Sequence, residues 1–407
     1  MDRRTALKIM AALSATALSP MRFARNQPKV TVIGAGIIGA ACAYYLSRAG
    51  AKVTILDQSG PATHASRGTF AWLNATWAKQ PQSYHYLNQV GLQVWKEVQN
   101  ELAIPITWQG SLEWFGNQAR NTKLIDQIKE QQLWGEPARM ITSDEVKQLE
   151  PHLVVNNPTL TAYSPNDGAL DPVQATHTML QYAQARGAKV ISPCKALQPV
   201  FKKQQLVAVE TSMGRIASDK IVLATGAAPD ASKIFSDVFI PQRSTPGIIV
   251  ITKPLIKPIV NRIIAAPGVH LHQRSDGRVV LGEQDGPPEG EAHETRLQAR
   301  PNDFPTKALA TAHGNRILQT AKEYYPALAQ AEVEDVYIGW RPLPLDGHPV
   351  LGVNPERPDI YIAIMHSGVS LAALVGKSVT KELLMSEALD ELAAYRPVRE
   401  FSRVKRY

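Results

Sequence analysis

The stretch KVTVIGAGIIGAACAYYLSRAGAKVTILD, residues 29–57, constrains the fold of this chain more than any other part of its sequence. It begins with an apolar run at 30–33 that is short enough for one buried strand. Gly34, Gly36 and Gly39 then lead into a segment whose apolar residues recur at helical spacing, and a second short apolar run follows. The stretch therefore predicts a strand, a helix and a second strand, with a glycine turn at the first corner.

The three glycines have the G-x-G-x-x-G spacing of a dinucleotide-binding turn. In such a unit Gly34 permits the tight turn, Gly36 lets the backbone approach a pyrophosphate, and Gly39 lets helix and strand pack closely. The helix directs free N–H groups and the positive end of its dipole at the phosphates. Asp57 lies 18 residues beyond Gly39, about where a carboxylate meets a ribose hydroxyl. Because an anion there repels a 2′-phosphate, FAD or NAD is favoured over NADP; the alternative is a glycine-rich turn in an unrelated parallel sheet.

Composition and charge narrow the class of protein. The chain has 407 residues, 44% hydrophobic and 20% charged, as in ordinary globular proteins with one or two domains. A net charge of +8 could indicate nucleic acid or an anionic membrane as partner, but +4 of it lies in residues 1–25. A second basic cluster at 396–407 is typical of a solvated tail, so we expect no nucleic-acid partner, while weak membrane association stays open. Cys42 and Cys194 are too few for a metal site or a disulfide framework, and no metal is expected.

The first 25 residues resemble a twin-arginine export signal. The Arg-Arg pair and the following Leu7 and Lys8 match its usual pattern, while Asp2 and Ala6 depart from it. The apolar run that follows is too short to span a bilayer. A periplasmic or otherwise exported protein is therefore expected, and the alternative is a basic N-terminus on a cytoplasmic protein.

Three later segments predict further parts of the same domain. Asp171 and Pro172 open a helix. The segment KIVLATGAAP predicts a strand that ends at Thr225 and Gly226, where the chain returns to the dinucleotide sheet beside the adenosine half of the cofactor. The segment DIYIAIMHSGVSLAALVG predicts a strand, a turn at Gly368 and a helix.

Residues 241–335 have a different pattern. The segments STPGIIVIT, HLHQRSDGRVVLGE and EDVYIGW alternate as antiparallel strands with one exposed face do, and Asp276-Gly277 predicts a hairpin turn. We therefore expect a second, β-rich domain that is inserted before the chain returns to the first.

The order and spacing of five blocks resemble the D-amino-acid oxidase family of FAD-dependent oxidoreductases, particularly its glycine oxidase, sarcosine oxidase and D-amino-acid dehydrogenase branches. The blocks are IGAGIIGAACAYYLSRAGAKVTILD, GALDP, IVLATGAAP, GWRPLPLDGHPVLG and HSGVSLA. The resemblance covers nearly the whole chain after residue 28. It implies an α/β fold in which a Rossmann-type FAD-binding domain carries an inserted antiparallel β-rich (α+β) substrate domain that lies over the flavin. It also favours FAD over NAD, between which the opening stretch does not decide.

The resemblance implies a discontinuous division of the chain. The expected parts are an export signal at 1–27, an FAD-binding domain at 28–82, 150–235 and 336–395, a substrate domain at 83–149 and 236–335, and a basic tail at 396–407.

Arg341 is the residue expected to bind the substrate. Oxidation of an amine by a flavin requires a C–H bond held over the reactive ring nitrogen and a deprotonated amine, so orientation matters more than acid–base groups. An arginine fork supplies orientation by holding a substrate carboxylate bidentately. In the amino-acid-oxidising members of the family, the RP motif places its carboxylate-binding arginine at this position. The alternatives are an arginine that ties down its own loop or one that lies beside the flavin.

The resemblance also implies the residues that contact FAD. A helix starting near Val369 would direct its N-terminus at the pyrimidine edge of the flavin and favour negative charge on the reduced ring. The expected contacts are Gly34, Gly36, Ile37, Ile38, Gly39, Asp57, Gln58, Ser66, Arg67, Thr225, Gly226, His366, Ser367, Gly368, Val369 and Ser370.

Three histidines are further candidates. His270 and His272 alternate on one predicted strand and so face the same side, near where the family often has an aromatic substrate contact. A substrate or catalytic role is proposed for both, and structural histidines are the alternative. His64 lies where some relatives attach the flavin covalently, but ATHASRG matches their pattern poorly.

The expected function is oxidation of an amine or amino acid, such as a D-amino acid, glycine or sarcosine, to an imine by hydride transfer to the flavin, with oxygen or a quinone as electron acceptor. One alternative keeps the flavin and changes the donor to a hydroxy acid or an N-methylated compound. Another is a flavin-binding protein that has lost its chemistry and serves as a redox sensor.

Overall fold

The computed structural model of the protein describes residues 27–75, 79–155, 160–228, 230–243, 245–283 and 302–402. The expected export signal, up to residue 26, lies outside these residues. The described helices are α1 (Ile37–Arg48), α2 (Gln82–Leu102), α3 (Gln118–Leu133), α4 (Ser143–Leu149), α5 (Pro172–Gln184), α6 (Ala231–Ser236), α7 (Lys307–Tyr324) and α8 (Gly368–Leu384).

A mostly parallel sheet is the centre of the first domain. Its strands lie in the order β19 (Val350–Asn354), β20 (Arg357–Ile364), β13 (Lys220–Leu223), β1 (Lys29–Ile33), β2 (Lys52–Leu56) and β9 (Lys189–Ile191). Only the pair β19–β20 is antiparallel. In β1 every residue after Lys29 is buried, because the sheet is covered on both faces. The strand–helix–strand unit predicted for residues 29–57 is therefore confirmed.

Helices cover one face of this sheet and a small sheet covers the other. The helices α1, α2, α5 and α8 share one apolar core on the first face. On the second face lie α6 and the sheet formed by β10 (Ala196–Lys202), β11 (Gln205–Thr211) and β12 (Gly214–Ala217). Asp171 caps α5 by accepting from the backbone N–H of Val173 and Gln174, as its position before Pro172 predicts. Cys42 lies in the helical core and Cys194 on the second face, both as free thiols.

A larger, mainly antiparallel sheet forms the second domain. Its strands lie in the order β18 (Val333–Arg341), β14 (Thr245–Thr252), β17 (Val279–Gly282), β16 (Val269–Gln273), β15 (Ile263–Ala266), β5 (Ser111–Glu113), β7 (Thr161–Ser164) and β6 (Arg139–Ile141). Gly277, with φ of +87°, turns the chain between the paired strands β16 and β17, as predicted. The helix α7 packs on one face through Ile317, Leu318 and Ala321. A separate small sheet consists of β3 (Trp72–Leu73), β8 (Gly168–Leu170) and β4 (Ile106–Thr107).

The packing of α2 differs from the domain division expected from the sequence. That division starts the substrate domain at residue 83, but Val90 and Val94 lie in the core shared with α1. The Trp95 indole donates to the Val369 carbonyl of α8 at 2.8 Å. An amphipathic helix shows in its sequence that it has an apolar side but not which element that side will meet. The strands β7 and β18 likewise pair with the antiparallel sheet, although the expected division assigns all of β7 and residues 336–341 of β18 to the other domain.

Within the described ranges, no helix is both long enough and apolar enough to cross a membrane.

Candidate functional site

The glycine turn is packed too closely for side chains. Gly34 has φ of +105°, and a Cβ there would overlap the carbonyl oxygen of Ala224 at the end of β13. A Cβ on Gly39 would overlap the carbonyl oxygen of Gly34. Gly36 is the N-cap of α1 and has no side chain of its own to cap the helix. The glycine segment therefore leaves backbone N–H donors in the first helical turn of α1 that face a ligand site.

Two polar side chains brace this turn. Asp57 Oδ2 accepts from the Ala35 N–H at 2.8 Å, and its Oδ1 accepts from the N–H groups of Ser59 and Gly60 at 2.9 Å each. Ser66 Oγ accepts from the Ile37 N–H at 3.0 Å. A carboxylate oxygen can accept more than one hydrogen bond, so these contacts leave capacity for the ribose contact predicted for Asp57.

The N-terminus of α8 lies beside the N-terminus of α1. A Cβ on Gly368 would lie 3.5 Å from Ile38 Cγ1, and a Cβ on Gly376 would overlap the Ala41 carbonyl oxygen, so the helices cross at close range. Neither helix has an acidic residue in its first turn. Two positive dipole ends therefore meet in one region of the molecule, an arrangement suited to a ligand with two electronegative parts.

A buried hydroxyl group lies close to the same turn. Thr225 Oγ1 is buried and has no hydrogen-bond partner among the described residues. It follows β13, directly after Ala224, and Gly226 has φ of +56°. A ligand that passes the glycine turn can satisfy this hydroxyl. The uncapped helix ends, the glycine cradle and the orphaned hydroxyl thus fit a dinucleotide cofactor of the FAD type.

The antiparallel sheet presents Arg341 and His270 on one face. Across the paired strands, Tyr337 lies opposite Ile249, which lies opposite Gly282, which in turn lies opposite His270, so these residues share one face. Arg341 lies four residues beyond Tyr337 on β18 and therefore shares that face. A Cβ on Gly247 would lie 3.0 Å from Arg341 Nη2, so the guanidinium lies against this glycine. Its Nη1 donates to the Pro246 carbonyl at 3.0 Å. A Cβ on Gly282 would overlap the His270 ring. Two glycines thus make room for the two side chains.

Phe70 packs against both histidines of β16. Its ring centroid lies 4.5 Å from that of His270 and 4.9 Å from that of His272. His272 Nε2 donates to the Phe70 carbonyl at 2.9 Å. Burial, with Arg341 near His270 and Arg274 near His272, lowers the pKa of each imidazole to about 3. Both rings are therefore neutral at physiological pH and suited to contact and hydrogen bonding more than to carrying a proton.

The loop that follows β2 is fixed against the end of β18. Gly68 and Gly339 pack backbone to backbone, so that a Cβ on either would overlap the other. Arg67 forms an ion pair with Asp303 at 2.9 Å, and its guanidinium lies 4.3 Å from the Tyr337 ring centroid. A cofactor contact of the Arg67 side chain would have to compete with this ion pair.

Lys79 is a candidate residue of the cofactor site that no pattern in the sequence indicated. Its Nζ donates to Ser367 Oγ, the N-cap residue of α8, at 2.8 Å. The Tyr84 hydroxyl donates to the same oxygen at 2.8 Å, and Lys79 Nζ lies 5.5 Å from the Tyr84 ring centroid. The ammonium therefore adds positive charge where α8 already presents its positive dipole end. A single lysine in a loop carries no pattern that could have identified it.

The remaining predicted residues are placed as follows. The Val369 carbonyl is engaged by Trp95, and Ser370 Oγ accepts from the Asn74 N–H at 3.1 Å, which ties the loop after β2 to α8. Gln58 is exposed beside Asp57, and His366 is partly buried at the end of β20. His64 Nδ1 lies 3.1 Å from Thr63 Oγ1. The structure thus brings the turn residues and the 366–370 segment together, with Arg341 and the two histidines on the sheet.

Known proteins of one family are similar to this chain over most of its length. The family model described as FAD dependent oxidoreductase (DAO) matches residues 29–382. Glycine oxidase of Geobacillus kaustophilus is 24% identical over 391 residues, covering 92% of this chain and 98% of its own. One of the chains of an opine oxidase from Agrobacterium tumefaciens is 22% identical, covering 90% of this chain and 96% of its own. Mitochondrial sarcosine dehydrogenase of Homo sapiens is 23% identical, covering 86% of this chain and 38% of its own.

Solved structures agree with these relatives in fold. The structure of glycine oxidase from Geobacillus kaustophilus superposes with a TM-score of 0.80 at 20% identity, covering 92% of this chain and all of that one. L-Proline dehydrogenase from P. horikoshii has a TM-score of 0.76 at 21% identity and covers 92% of this chain and 98% of that one. At these identities the similarity shows a shared fold.

Proposed function

The chain belongs to the FAD-dependent oxidoreductase (DAO) family, and from this membership we propose that it oxidises an amine or amino acid at the carbon that bears nitrogen. FAD, when bound, accepts the hydride that leaves this carbon. The substrate nitrogen loses a proton, a C=N bond forms, and water then hydrolyses the imine. The relatives named for glycine, sarcosine and opines support this reaction class.

The placement of Arg341 is the observation that carries the proposal. Its guanidinium lies against Gly247 on the sheet face that also presents His270, so its donors are held in a fixed plane. A planar fork of this kind matches a carboxylate. Arg341 would hold the carboxylate, while His270 and Phe70 would contact the rest of the substrate and restrict its orientation.

The residues around the glycine turn would hold FAD. Gly34, Gly36 and Gly39 would admit the pyrophosphate to the N-terminus of α1, Asp57 would bind the adenosine ribose, and Thr225 would contact the adenosine half. The 366–370 segment would hold the pyrimidine edge of the flavin.

An absorbance spectrum followed by an anaerobic substrate screen tests the proposal. Purified protein should show the two visible bands of bound flavin, and one or more of D-amino acids, glycine, sarcosine or simple amines should bleach them. If dithionite bleaches the flavin and no amine does, the amine proposal fails. Bleaching by hydroxy acids alone would identify the other donor class, and an unreactive flavin would favour a redox sensor.

Replacing Lys79 with methionine should make reduction of the bound FAD less favourable by about tenfold, which corresponds to a potential lower by about 30 mV for a two-electron couple. The reason is loss of a cation beside the N-cap of α8, where Ser367 Oγ accepts from Lys79. Dye-equilibrated reduction by dithionite measures the potential without any substrate. Lys79→Arg, which keeps the charge, should stay near the parent value. Equal potentials for the methionine and parent proteins would contradict this role.

The export segment and the electron acceptor are part of the same proposal. We propose that residues 1–27 direct the folded, flavin-loaded protein through the twin-arginine pathway, and that oxygen or a quinone outside the cytoplasm accepts the electrons. Weak association with a membrane would bring the protein close to quinones. Replacing both Arg3 and Arg4 with lysine should then retain the protein in the cytoplasmic fraction, and an unchanged distribution would refute export by this route.

A further inference from the structure

Asp167 is a buried carboxyl group without a part in the proposed reaction. It lies between β7 and β8 and is 0% exposed. Its Oδ2 accepts from Trp72 Nε1 at 2.9 Å and from Ser111 Oγ at 2.7 Å. Its Oδ1 has no hydrogen-bond partner among the described residues. Burial raises the pKa of Asp167 to about 7. A neutral acceptor could satisfy both donors at a lower desolvation cost.

The two donors to Asp167 belong to different parts of the fold. Ser111 lies on β5 of the antiparallel sheet, whereas Trp72 begins the short strand β3, which follows the dinucleotide unit in the chain. The Trp72 carbonyl accepts from Ser370 Oγ in the first turn of α8 at 3.3 Å. The backbone of Trp72 is thus attached to the helix at the flavin site, and its indole is attached through Asp167 to the sheet that carries Arg341.

The Trp72 ring lies next to Phe70, the ring that packs on His270 and His272. Its neighbours Ala71 and Leu73 are 2% and 0% exposed and belong to the helical core, whereas Phe70 and Trp72 are only partly buried. The ring centroids of Phe70 and Trp72 are 6.3 Å apart, and Phe70 packs on His270. Trp72, Phe70 and His270 therefore form a row of rings, here called the aromatic wall, which ends beside Arg341.

Charged groups near Asp167 come from two other segments. Lys79 lowers and Glu136 raises the Asp167 pKa through their charges. Glu136 is itself engaged by Asn166 Nδ2 at 2.8 Å and by the Gln89 amide. Since Lys79 also contacts Ser367, the Asp167 carboxyl lies within the field of the cation at the N-terminus of α8.

We propose that Asp167 is a positioning residue for substrate binding, which fixes the Trp72 indole through its N–H and thereby holds the aromatic wall beside Arg341. The inference rests on the proposed function, because the wall it holds is one side of the proposed amino-acid pocket. The carboxyl group itself does not touch the substrate; it acts through Trp72.

Benzoate is a suitable probe, because it offers a carboxylate to Arg341 and a planar ring to the aromatic wall and has no amine to oxidise. Its dissociation constant can be measured on the holoenzyme from the shift in flavin absorbance. Asp167→Ala and Trp72→Phe should each weaken benzoate binding by about five- to tenfold, the size of one lost hydrogen bond. The double variant should bind no more weakly than the weaker single variant, because both changes remove the same contact.

Matched variants separate positioning from a merely structural role. Asp167→Asn keeps an acceptor for the indole and should bind benzoate within about threefold of the parent. Ser111→Ala removes the other donor to the same oxygen, and its benzoate dissociation constant should stay within about twofold of the parent value. Its melting temperature should nevertheless fall about as much as that of Trp72→Phe. In turnover with any substrate found, Asp167→Ala should raise KM more than it lowers kcat.

Several results would overturn the proposal. These are parent-like benzoate affinity in Trp72→Phe, effects that multiply in the double variant, or equal weakening by Ser111→Ala. Where Asp167→Ala does not fold, the Trp72→Phe measurement decides alone. A parent holoenzyme that does not bind benzoate would remove the pocket on which the proposal stands. Benzoate binding needs no turnover, so the two proposals can fail separately. If no amine reduces the flavin but the variants bind benzoate as expected, the proposed reaction is rejected and the role of Asp167 stands.

Discussion

Replacing Arg341 with alanine is expected to lower kcat/KM for amino acids by roughly 30- to 5000-fold, mainly through KM. Truncating one partner of a buried, hydrogen-bonded charge pair costs about 2–5 kcal/mol, which gives this range. The guanidinium is already held against Gly247 and by the Pro246 carbonyl, so the parent protein needs little reordering to bind a carboxylate. Steady-state kinetics with the substrate from the anaerobic screen measure the effect.

Two controls distinguish the possible roles of Arg341. Arg341→Lys keeps the charge and loses the planar fork, so its kcat/KM should fall between those of the parent and alanine proteins. Gly247→Ala leaves Arg341 in the chain but puts a methyl group 3.0 Å from its Nη2, so the guanidinium must shift, and KM for amino acids should rise with FAD binding unchanged. An equal loss of kcat/KM for amines that lack a carboxylate would mean that Arg341 ties down its own loop or supports the flavin.

Replacing Gly39 with alanine should weaken FAD binding by about a hundredfold or more and lower the melting temperature. A Cβ there overlaps the Gly34 carbonyl oxygen, a backbone atom that cannot move without opening the turn. An overpacking cost of about 3 kcal/mol corresponds to this loss of affinity. Quenching of free FAD fluorescence on titration with apoprotein measures the dissociation constant.

Gly36→Ala is the matched control for that experiment. A Cβ at Gly36 meets only Ser66 Oγ, at 3.1 Å, which is the end of a side chain that can rotate. The apoprotein should therefore melt within a few degrees of the parent, while FAD binding weakens because the methyl group lies where the pyrophosphate approaches. Parent-like FAD affinity in both alanine variants would show that the cofactor does not pass this turn.

Local patterns in the sequence predicted much of the fold. The strand–helix–strand unit, the helix capped by Asp171 and the hairpin turn at Gly277 were predicted because each depends on residues that are close in the chain. The side on which α2 packs was not predicted, because an apolar stripe does not name its partner. The same limit applies to which strands join which sheet.

The motifs in the sequence indicated several of the segments that the structure brings together. The glycine turn lies beside the 366–370 segment in the structure, and Arg341 lies on the same sheet face as His270. Lys79 contacts Ser367, which is 288 residues away, and Trp72 contacts Asp167, which is 95 residues away. Such contacts join segments with no shared pattern, and the low pKa of His270 depends on burial that arises only in the folded chain.

The meeting of α1 and α8 at their N-termini has a consequence for how the protein matures. Two like dipole ends beside each other repel, and no acidic side chain in either first turn offsets them. In the proposed binding mode the anionic groups of FAD would offset both at once, so that the free energy of cofactor binding would add to the free energy of folding. A chain that binds FAD as it folds would then be the more stable form, and the unloaded chain should be cut more readily by a protease.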